Sequence, residues 1–414
     1  MSLLTFQILK AILMKVIRKL SIIFSLFIMA SCDDGSEKYV EPVGGGITPP
    51  ADINSAKRAM EIFGLINQYY KAGDLFKENY PAQQGDAPYS FLWPYDAVVS
   101  GAAQLHKIGY NVNYKHIVNG FEKYYTLSAY NNNIGAYGSS TNGTVGGGTR
   151  FYDDNSIVGV NLIDAYELTK DPIYLDRAAR IIPFLESGVD AKLGGALWWN
   201  EDYRYNSSQP DANKPTCSNG YATLFLLKYY EVCPDSEKQK VLDLAKSLYT
   251  WLRNNLYDSS SKCYWNDKNA NGVVNTRLWT YNAAVMIQNG IRLSEITGDN
   301  EYLNHAKITA QGAYDYFVKN RNGVLSYTDT DPWFHTKLLL AYIDLSPHDQ
   351  KAKTFINTYF NFINHGYDKA RTDVGFFFED WTGGNRGRYY SLLMQGAVVE
   401  AYGALANYRG DKIN

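Results

Sequence analysis

The chain has 414 residues and a formal net charge of -2, a balance that gives no electrostatic case for nucleic-acid binding, which requires a basic face. Hydrophobic residues make up 45% and charged residues 20%, which excludes global disorder and allows a large core. Aromatic residues make up 15%, and an excess of Tyr and Trp suits a sugar-binding groove, because a ring face covers sugar C–H groups while its polar edge reaches hydroxyls.

The first 50 residues have the pattern of a targeting segment followed by a tether. A basic cluster precedes the apolar run 20–30, which is too short to span a bilayer and is typical of a signal peptide. Met29-Ala30-Ser31-Cys32 resembles a bacterial lipobox, so we expect residues 1–31 to be a lipoprotein signal peptide and the Cys32 thiol to be lipidated. An ordinary signal peptide with a chance cysteine is the alternative. Residues 32–50, which contain glycine and proline runs, are predicted to be a flexible tether.

These features together predict an outer-membrane lipoprotein that contacts the membrane only through its lipid. The two acidic residues after Cys32 resemble the export signals of Bacteroidetes surface lipoproteins, although a position facing the periplasm is the alternative. We expect the protein to be a monomer without a nucleic-acid partner.

From residue 51 onward, apolar positions recur with the 3.6-residue period of α-helices. The predicted helices cover residues 53–71, 94–108, 113–128, 154–169, 172–187, 218–232, 236–256, 280–297, 300–319, 333–345, 348–364 and 389–407. Short and long connections alternate, which indicates helical hairpins. A similar sequence motif around Glu167, Glu231 and Glu295 recurs every 64 residues and places an aspartate in each following turn.

Six hairpins that close on themselves form an all-α (α/α)6 barrel, and we predict one such catalytic domain over residues 51–414. An open solenoid of stacked hairpins is the alternative, and the lack of an obvious capping repeat favours closure. The long loops before alternate helices then gather at one end of the barrel, where we expect the binding site.

The long loops at that end contain aromatic residues, often beside Asn or Asp. This combination offers stacking faces and hydroxyl partners to a sugar, and it lacks both a phosphate-binding glycine loop and a nucleophilic serine motif. The predicted substrate-binding residues are Trp93, Asp96, Tyr152, Asn155, Trp198, Trp199, Asn200, Asn219, Tyr281, Asn282, Trp333 and Phe334. Packing is the competing explanation for Trp198 and Trp199, and helix capping is the one for Asn219 and Asn282.

Asp153 and Asp154 stand at the start of a predicted helix and are the candidate catalytic residues. Glycosidic cleavage requires two carboxyl groups, one to protonate the leaving oxygen and one to attack or to activate water. Neighbouring side chains at a helix start diverge by about 100°, which predicts a separation of roughly 5–6 Å, suited to a retaining mechanism. The helix N-terminus would keep one carboxylate ionised, and its charge would raise the pKa of the other. An N-cap beside a surface acid explains the same pair without catalysis.

The sequence predicts neither a metal site nor a cofactor. Cys217, Cys233 and Cys263 have no Cys-x-x-Cys spacing and are predicted to be buried thiols. The segment from Asp267 resembles the start of a calcium loop, but Leu278 occupies the twelfth position, where a bidentate glutamate is required.

Four segments together resemble glycoside hydrolase family 76, in the family's order and with similar spacing. They are Tyr152-Asp153-Asp154-Asn155, Leu193-Gly194-Gly195-Ala196-Leu197-Trp198-Trp199-Asn200, Thr216-Cys217-Ser218-Asn219-Gly220 and Trp279-Thr280-Tyr281-Asn282. The resemblance implies an (α/α)6 fold and endo-α-1,6-mannanase activity on α-mannan polysaccharides or oligosaccharides. It also implies a retaining mechanism with Asp153 as nucleophile and Asp154 as general acid/base.

Two other functions are compatible with the same groove. A surface glycan-binding lipoprotein would capture oligosaccharide without turnover, although the carboxylate pair argues against it. A transglycosidase would use the same carboxyl groups to move an α-mannosyl unit to another acceptor glycan.

Overall fold

The computed structural model describes residues 53–209, 211–327 and 331–413. The signal peptide predicted for 1–31, the tether predicted for 32–50 and the lipidated Cys32 therefore lie outside the described residues. Within the described residues, the helices are α1 (Ser55–Tyr69), α2 (Leu92–Lys107), α3 (Tyr114–Asn119), α4 (Tyr152–Thr169), α5 (Pro172–Ala179), α6 (Ile182–Gly188), α7 (Glu201–Tyr205), α8 (Thr216–Val232), α9 (Asp235–Asn255), α10 (Thr280–Thr297), α11 (Asn300–Phe317), α12 (Pro332–Leu345), α13 (Lys351–Lys369) and α14 (Leu392–Arg409). Among these helices, none combines the length and apolar character that crossing a membrane requires.

Six helices form an inner ring, in the order α2, α4, α8, α10, α12 and α14. Each packs against the next, and α14 packs against α2, so the ring is closed. In the outer layer, α3, α5, α9, α11 and α13 each pack on the inner helix that precedes them, and α1 packs on α14. The predicted (α/α)6 barrel is therefore confirmed, and its sixth hairpin joins the first helix of the described chain to the last.

Short antiparallel strands lie in the connections between the helices. They are β1 (Lys71–Ala72), β2 (Leu75–Phe76), β3 (Asn79–Tyr80), β4 (Tyr125–Leu127), β5 (Gly135–Tyr137), β6 (Ser140–Thr141), β7 (Gly146–Gly147), β8 (Asn213–Pro215), β9 (Trp265–Asn269), β10 (Val274–Leu278), β11 (Val318–Arg321), β12 (Val324–Tyr327) and β13 (Tyr390–Ser391). β8, β9 and β10 form one sheet, and β3 pairs with β13. These pairings fix loops that come from distant parts of the sequence.

The outer helix predicted for residues 113–128 is only partly correct. α3 ends at Asn119 and a 3-10 turn follows, after which β4 pairs with β5. The guanidinium of Arg150 holds this hairpin by donating to the backbone carbonyls of Thr126 and Ile134 at 3.1 and 2.9 Å. Tertiary pairing therefore overrides the local helical pattern of the segment.

A proline divides the outer helix predicted for residues 172–187. α5 ends at Ala179, and α6 begins at Ile182. Pro183 lacks the backbone N–H that would continue the helical hydrogen bonds of α5, which explains the break, and it is accommodated in the first turn of α6. The other predicted helices agree with the structure to within a few residues at their ends.

The barrel axis carries ion pairs at the end away from the long loops. Lys337 and Glu400 pair at 2.7 Å, and Lys228 lies 2.6 Å from Asp164. Buried charges persist in folded proteins when they are paired in this way.

Candidate active site

A cavity of about 590 Å³ opens at the end of the barrel where the inner helices begin. All six inner helices contribute to its lining, together with the loops that precede them. Seven of the predicted site residues line it: Trp93, Asp153, Asp154, Trp199, Tyr281, Trp333 and Phe334. The structure thus brings the two aspartates and five aromatic residues together in one cavity.

Asp153 and Asp154 lie in the first turn of α4. The N-cap of this helix is Phe151, which offers no side-chain hydrogen bond, so neither aspartate serves as the cap. Asp153 Oδ2 accepts hydrogen bonds from Cys217 Sγ at 3.1 Å and from Trp199 Nε1 at 3.2 Å. Within the described residues, no lysine or arginine compensates the charge of either carboxylate.

Burial raises the pKa of both carboxyl groups, because desolvation penalises the ionised form. For Asp153, hydrogen bonds from Cys217, from Trp199 and from the backbone at the helix start partly offset the rise. For Asp154, repulsion by Asp153 and by Asp96 adds to burial, so its pKa is raised further. Hydrogen bonding thus favours the ionised form of Asp153, whereas repulsion favours the protonated form of Asp154.

Aromatic rings form a continuous wall of the cavity. The rings of Tyr281 and Phe334 have centroids 4.2 Å apart, and Phe334 stacks on Trp93 at 6.0 Å. Trp93 meets Trp333 edge to face at 5.3 Å. Because these residues come from α2, α10 and α12, the wall exists only when the barrel closes. Ring faces of this kind cover the C–H groups of sugars.

The family model of glycosyl hydrolase family 76 matches residues 54–338, more than half of the chain. The chain belongs to glycosyl hydrolase family 76. It is therefore a glycoside hydrolase, as the sequence predicted. No curated protein sequence matches this family 76 enzyme significantly.

Solved structures of several family 76 proteins are similar to this enzyme. An α-mannanase of Bacteroides thetaiotaomicron superposes with a TM-score of 0.75 at 25% identity, over 87% of this chain and 97% of that chain. An α-1,6-mannanase of a Salegentibacter species has a TM-score of 0.69 at 21% identity, over 86% of this chain and 100% of that chain. An inactive variant of that mannanase, with two consecutive aspartates replaced by asparagine, is in complex with α-1,6-mannotriose; it has a TM-score of 0.69 at 20% identity, over 86% of this chain and 100% of that chain.

In this family 76 enzyme, Asn155 and Asn219 lie behind the cavity wall and do not line it. Each is the fourth residue of its inner helix. The side-chain amide of Asn155 accepts from the backbone N–H of Tyr137 and donates to its C=O, and Asn219 makes the same two hydrogen bonds with Leu197, at 2.7 to 3.0 Å. Gln395 makes the same double contact from the fourth position of α14. The predicted sugar-binding role of these asparagines is thus replaced by one in fixing the loops.

Three more of the predicted binding residues are buried outside the cavity. Tyr152 stacks on Phe184 with centroids 4.5 Å apart. Trp198 is fully buried, and its Nε1 donates to Asp190 at 2.8 Å. Asn200 accepts a backbone N–H of α7 and caps that helix. All three support the walls through packing and hydrogen bonds.

Asp96 and Asn282 are buried in the barrel interior and are likewise not part of the lining. Asp96 accepts a hydrogen bond from Asn161 at 2.7 Å. Burial raises its pKa to about 7, although Lys337 opposes that rise. The side-chain amide of Asn282 has no hydrogen-bond partner among the described residues. From below the cavity, the charge of Asp96 contributes to the raised pKa of Asp154.

Several cavity residues were missed by the sequence prediction. Phe91 and Phe151 are the N-caps of α2 and α4, and their position beside predicted residues was an available indication. Cys217 and Tyr221 lie one turn apart on α8 and face the cavity. Glu78 comes from the β2–β3 connection and accepts the backbone N–H of Phe91 at 2.9 Å. No local pattern marks Glu78 as a site residue.

Nothing in the described part of the chain has the geometry of a metal site, since no three His, Cys, Asp or Glu side chains converge. The segment that resembles a calcium loop forms the β9–β10 hairpin, where Asp267 accepts hydrogen bonds from Asn266 and Asn275 at 2.8 and 2.9 Å. The cysteines at 217, 233 and 263 are free and buried, as predicted.

A second cavity of about 830 Å³ adjoins the first, and the two share Phe334 and Ser391. Its lining includes Trp279, Asp331 and Tyr389. The aromatic surface beside the carboxylate pair therefore continues beyond the space around the two aspartates.

Proposed function

We propose that this enzyme is a retaining endo-α-1,6-mannanase, with Asp153 as nucleophile and Asp154 as general acid/base. The observation that carries the proposal is the placement of two adjacent, buried carboxyl groups in one aromatic cavity without a compensating cation. Retaining glycosidases require one ionised and one protonated carboxyl group on the same sugar. The raised pKa of Asp154 beside the hydrogen-bonded Asp153 fits that division.

The chemistry follows from the two protonation states. Asp153 attacks the anomeric carbon while Asp154 donates its proton to the glycosidic oxygen, which leaves with the released chain. Asp154, now ionised, takes a proton from water, and that water hydrolyses the glycosyl–Asp153 ester. Ionisation of Asp154 in this second step is eased because the ester carries no charge to repel it.

Three observations support an internal cut in an α-1,6-linked mannan. The solved α-1,6-mannanase with a similar fold has an inactive variant altered at two consecutive aspartates and in complex with α-1,6-mannotriose. The adjoining cavity gives room for a chain that continues past the carboxylates. The aromatic wall offers several stacking faces, which suits consecutive sugar units.

The decisive experiment compares Asp153→Asn, Asp154→Asn and the unaltered enzyme on unbranched α-1,6-mannan. We expect both variants to lose turnover and the unaltered enzyme to release short oligosaccharides whose first-formed anomer is α, as observed by proton NMR. Wild-type turnover by both variants would show that the mechanism is wrong. Release of mannose alone from chain ends would contradict endo action, and β-anomeric products would contradict retention.

The same assay separates the two alternatives. Tight mannan binding without any product would favour a glycan-binding protein. An added acceptor glycan that gains mannosyl units at the expense of hydrolysis would favour a transglycosidase.

We further propose that the enzyme is held at the outer membrane by a lipid on Cys32 and works as a monomer. The support is the order of basic, apolar and small residues before Cys32. Cys32→Ser is expected to move the protein from the membrane fraction to the soluble fraction, and protease treatment of intact cells distinguishes a surface from a periplasmic location. Light scattering of the protein without its first 50 residues tests the monomer.

A further inference from the structure

We propose that Cys217 and Trp199 form a donor pair that positions the nucleophile by hydrogen bonding to the same carboxylate oxygen of Asp153. Their donors lie 3.1 and 3.2 Å from Asp153 Oδ2. The inference rests on the proposed function, in which Asp153 attacks the sugar, and adds two positioning residues to it.

The donor pair comes from two separate elements next to α4. Cys217 lies in the first turn of α8, the neighbouring inner helix, 64 residues after Asp153 and thus at the equivalent position of the next repeat. Trp199 lies in the connection between α6 and α7, and its ring also contacts Phe151 with centroids 5.0 Å apart. Both side chains line the cavity, so the pair borders the space where a sugar would bind.

The thiol must be the donor in this contact, because an ionised carboxylate only accepts. Burial raises the pKa of the Cys217 thiol, and the charge of Asp153 raises it further, so the thiol keeps its proton. The Tyr281 side chain forms a hydrogen bond with the same sulfur. A fixed S–H group therefore points at Asp153.

A thiol is a weak donor, and this suits a nucleophile. Strong hydrogen bonds stabilise a carboxylate's charge and lower its pKa, which also lowers its reactivity toward carbon. Cys217 and Trp199 restrict the orientation of the carboxylate with a thiol and an indole N–H, neither of which carries a charge. A lysine or arginine in their place would neutralise the charge of the carboxylate. The donor pair therefore orients the carboxylate of Asp153 without neutralising its charge.

The test uses Cys217→Ala, Cys217→Ser and Trp199→Phe, with Cys233→Ala as the matched control. Cys233 lies at the other end of α8 and has the same 6% exposure as Cys217, but it contacts no site residue. Cys217→Ala is expected to lower kcat by about 10-fold while KM changes little, the low end for a lost hydrogen bond to a charged group because a thiol is a weak donor. Cys217→Ser is expected to restore most of the rate because its hydroxyl also donates.

The pH profile distinguishes positioning from a loss of packing. Loss of a donor to the ionised form raises the pKa of Asp153, so the acid limb of kcat/KM is expected to move to higher pH in Cys217→Ala and in Trp199→Phe. In Cys217→Ser the acid limb should return toward its wild-type pH, and in Cys233→Ala it should not move. A wild-type kcat and an unmoved acid limb in Cys217→Ala would overturn the inference.

Asp153→Asn separates this failure from failure of the proposed function. If Asp153→Asn keeps its turnover, the proposed mechanism itself is wrong. If Asp153→Asn is inactive while Cys217→Ala and Trp199→Phe behave as the unaltered enzyme, only the donor pair is wrong.

Discussion

The two ends of helix α4 carry the same side chain in opposite electrostatic settings. At its start, Asp154 is buried beside Asp153, and both burial and repulsion raise its pKa. Ten residues later, about 15 Å along the helix, Asp164 also loses solvent, but the ammonium of Lys228 at 2.6 Å lowers its pKa. Burial raises the pKa of the carboxyl group at both ends, so the presence of a cation decides whether the pKa is finally raised or lowered.

This contrast teaches how the fold distinguishes a reactive carboxyl group from a structural one. Lys228 pairs with Asp164 toward the end of α4, whereas no lysine of the described residues pairs with the two aspartates at its start. An unpaired buried carboxylate destabilises the folded state, whereas a paired one is compensated. The folded state therefore tolerates an unfavourable pair at the cavity, where the proposed mechanism requires a proton to be retained at neutral pH.

The largest expected effect comes from the same substitution at the two ends of α4. Asp154→Asn removes the proposed proton donor and is expected to lower kcat by about 10²- to 10⁴-fold, the usual contribution of a general acid. Asp164→Asn is the control and should stay within about threefold of the wild-type rate, because it is far from the reacting atoms. Steady-state rates on α-1,6-mannan check both, and similar losses in both variants would contradict the comparison.

Removing the ammonium of Lys228 should leave Asp164 as a buried carboxylate without a salt bridge. Lys228→Met leaves Asp164 buried without its main partner and is expected to lower the free energy of unfolding by about 3 kcal/mol, the low end for a buried pair because Lys228 keeps 11% exposure. The double variant Lys228→Met/Asp164→Asn should recover part of this loss. Denaturant titration measures both, and equal stability of the single variant and wild type would show that the pair contributes nothing.

Stability should depend on pH in opposite ways at the two ends. Asp154 has a raised pKa in the folded state, so its ionisation costs stability as pH rises above the unfolded value near 3.9, and Asp154→Asn should become more stable than wild type toward pH 7. Asp164 has a lowered pKa, so its contribution is present above about pH 3.9 and is lost as pH falls through the folded value.

The midpoint temperatures of both variants between pH 4 and 8 measure this difference. Each unit of pKa shift corresponds to about 1.4 kcal/mol. The gain of Asp154→Asn over wild type should shrink toward pH 4, whereas Asp164→Asn should be less stable than wild type throughout this range. A gain that does not vary with pH would mean that ionisation is not its cause.

The smallest effect is expected at a second aspartate–lysine pair, on the surface. Asp171 contacts Lys115 at 2.8 Å, but both side chains are exposed, and water screens their attraction. Asp171 also caps α5 by accepting the N–H of Ile173, a role that asparagine performs equally well. Asp171→Asn is therefore expected to leave the midpoint temperature unchanged, and Asp171→Ala should lower it because the cap is lost.

Much of the fold could be predicted from the sequence because the hairpins repeat locally. The 64-residue interval placed Asp171 and Asp299 in turns, and both cap the following helices. The same interval aligns Asp153 with Cys217, yet their contact depends on how α4 and α8 pack. The segment after Asn119 could not be predicted, because its pairing partner lies eight or more residues away and overrides helix propensity.

Neighbouring residues in the site illustrate a second limit. Trp198 and Trp199 were equal candidates in the sequence, but one is fully buried and the other lines the cavity. Successive side chains of an extended segment point to opposite sides, and the sequence does not state which side faces the cavity. Asn155 and Asn219 were similarly ambiguous until their bonds to loop backbones were visible.

The sequence by itself determined the helical hairpins, the adjacent aspartates at a helix start and the family. These features depend on local periodicity and on short motifs, which the chain order preserves. Only the tertiary structure decided which aromatic residues form the wall, which side chains donate to Asp153 and which carboxyl groups have no cation beside them. Those properties depend on distances between inner helices that are remote in sequence, and burial and charge act through such distances.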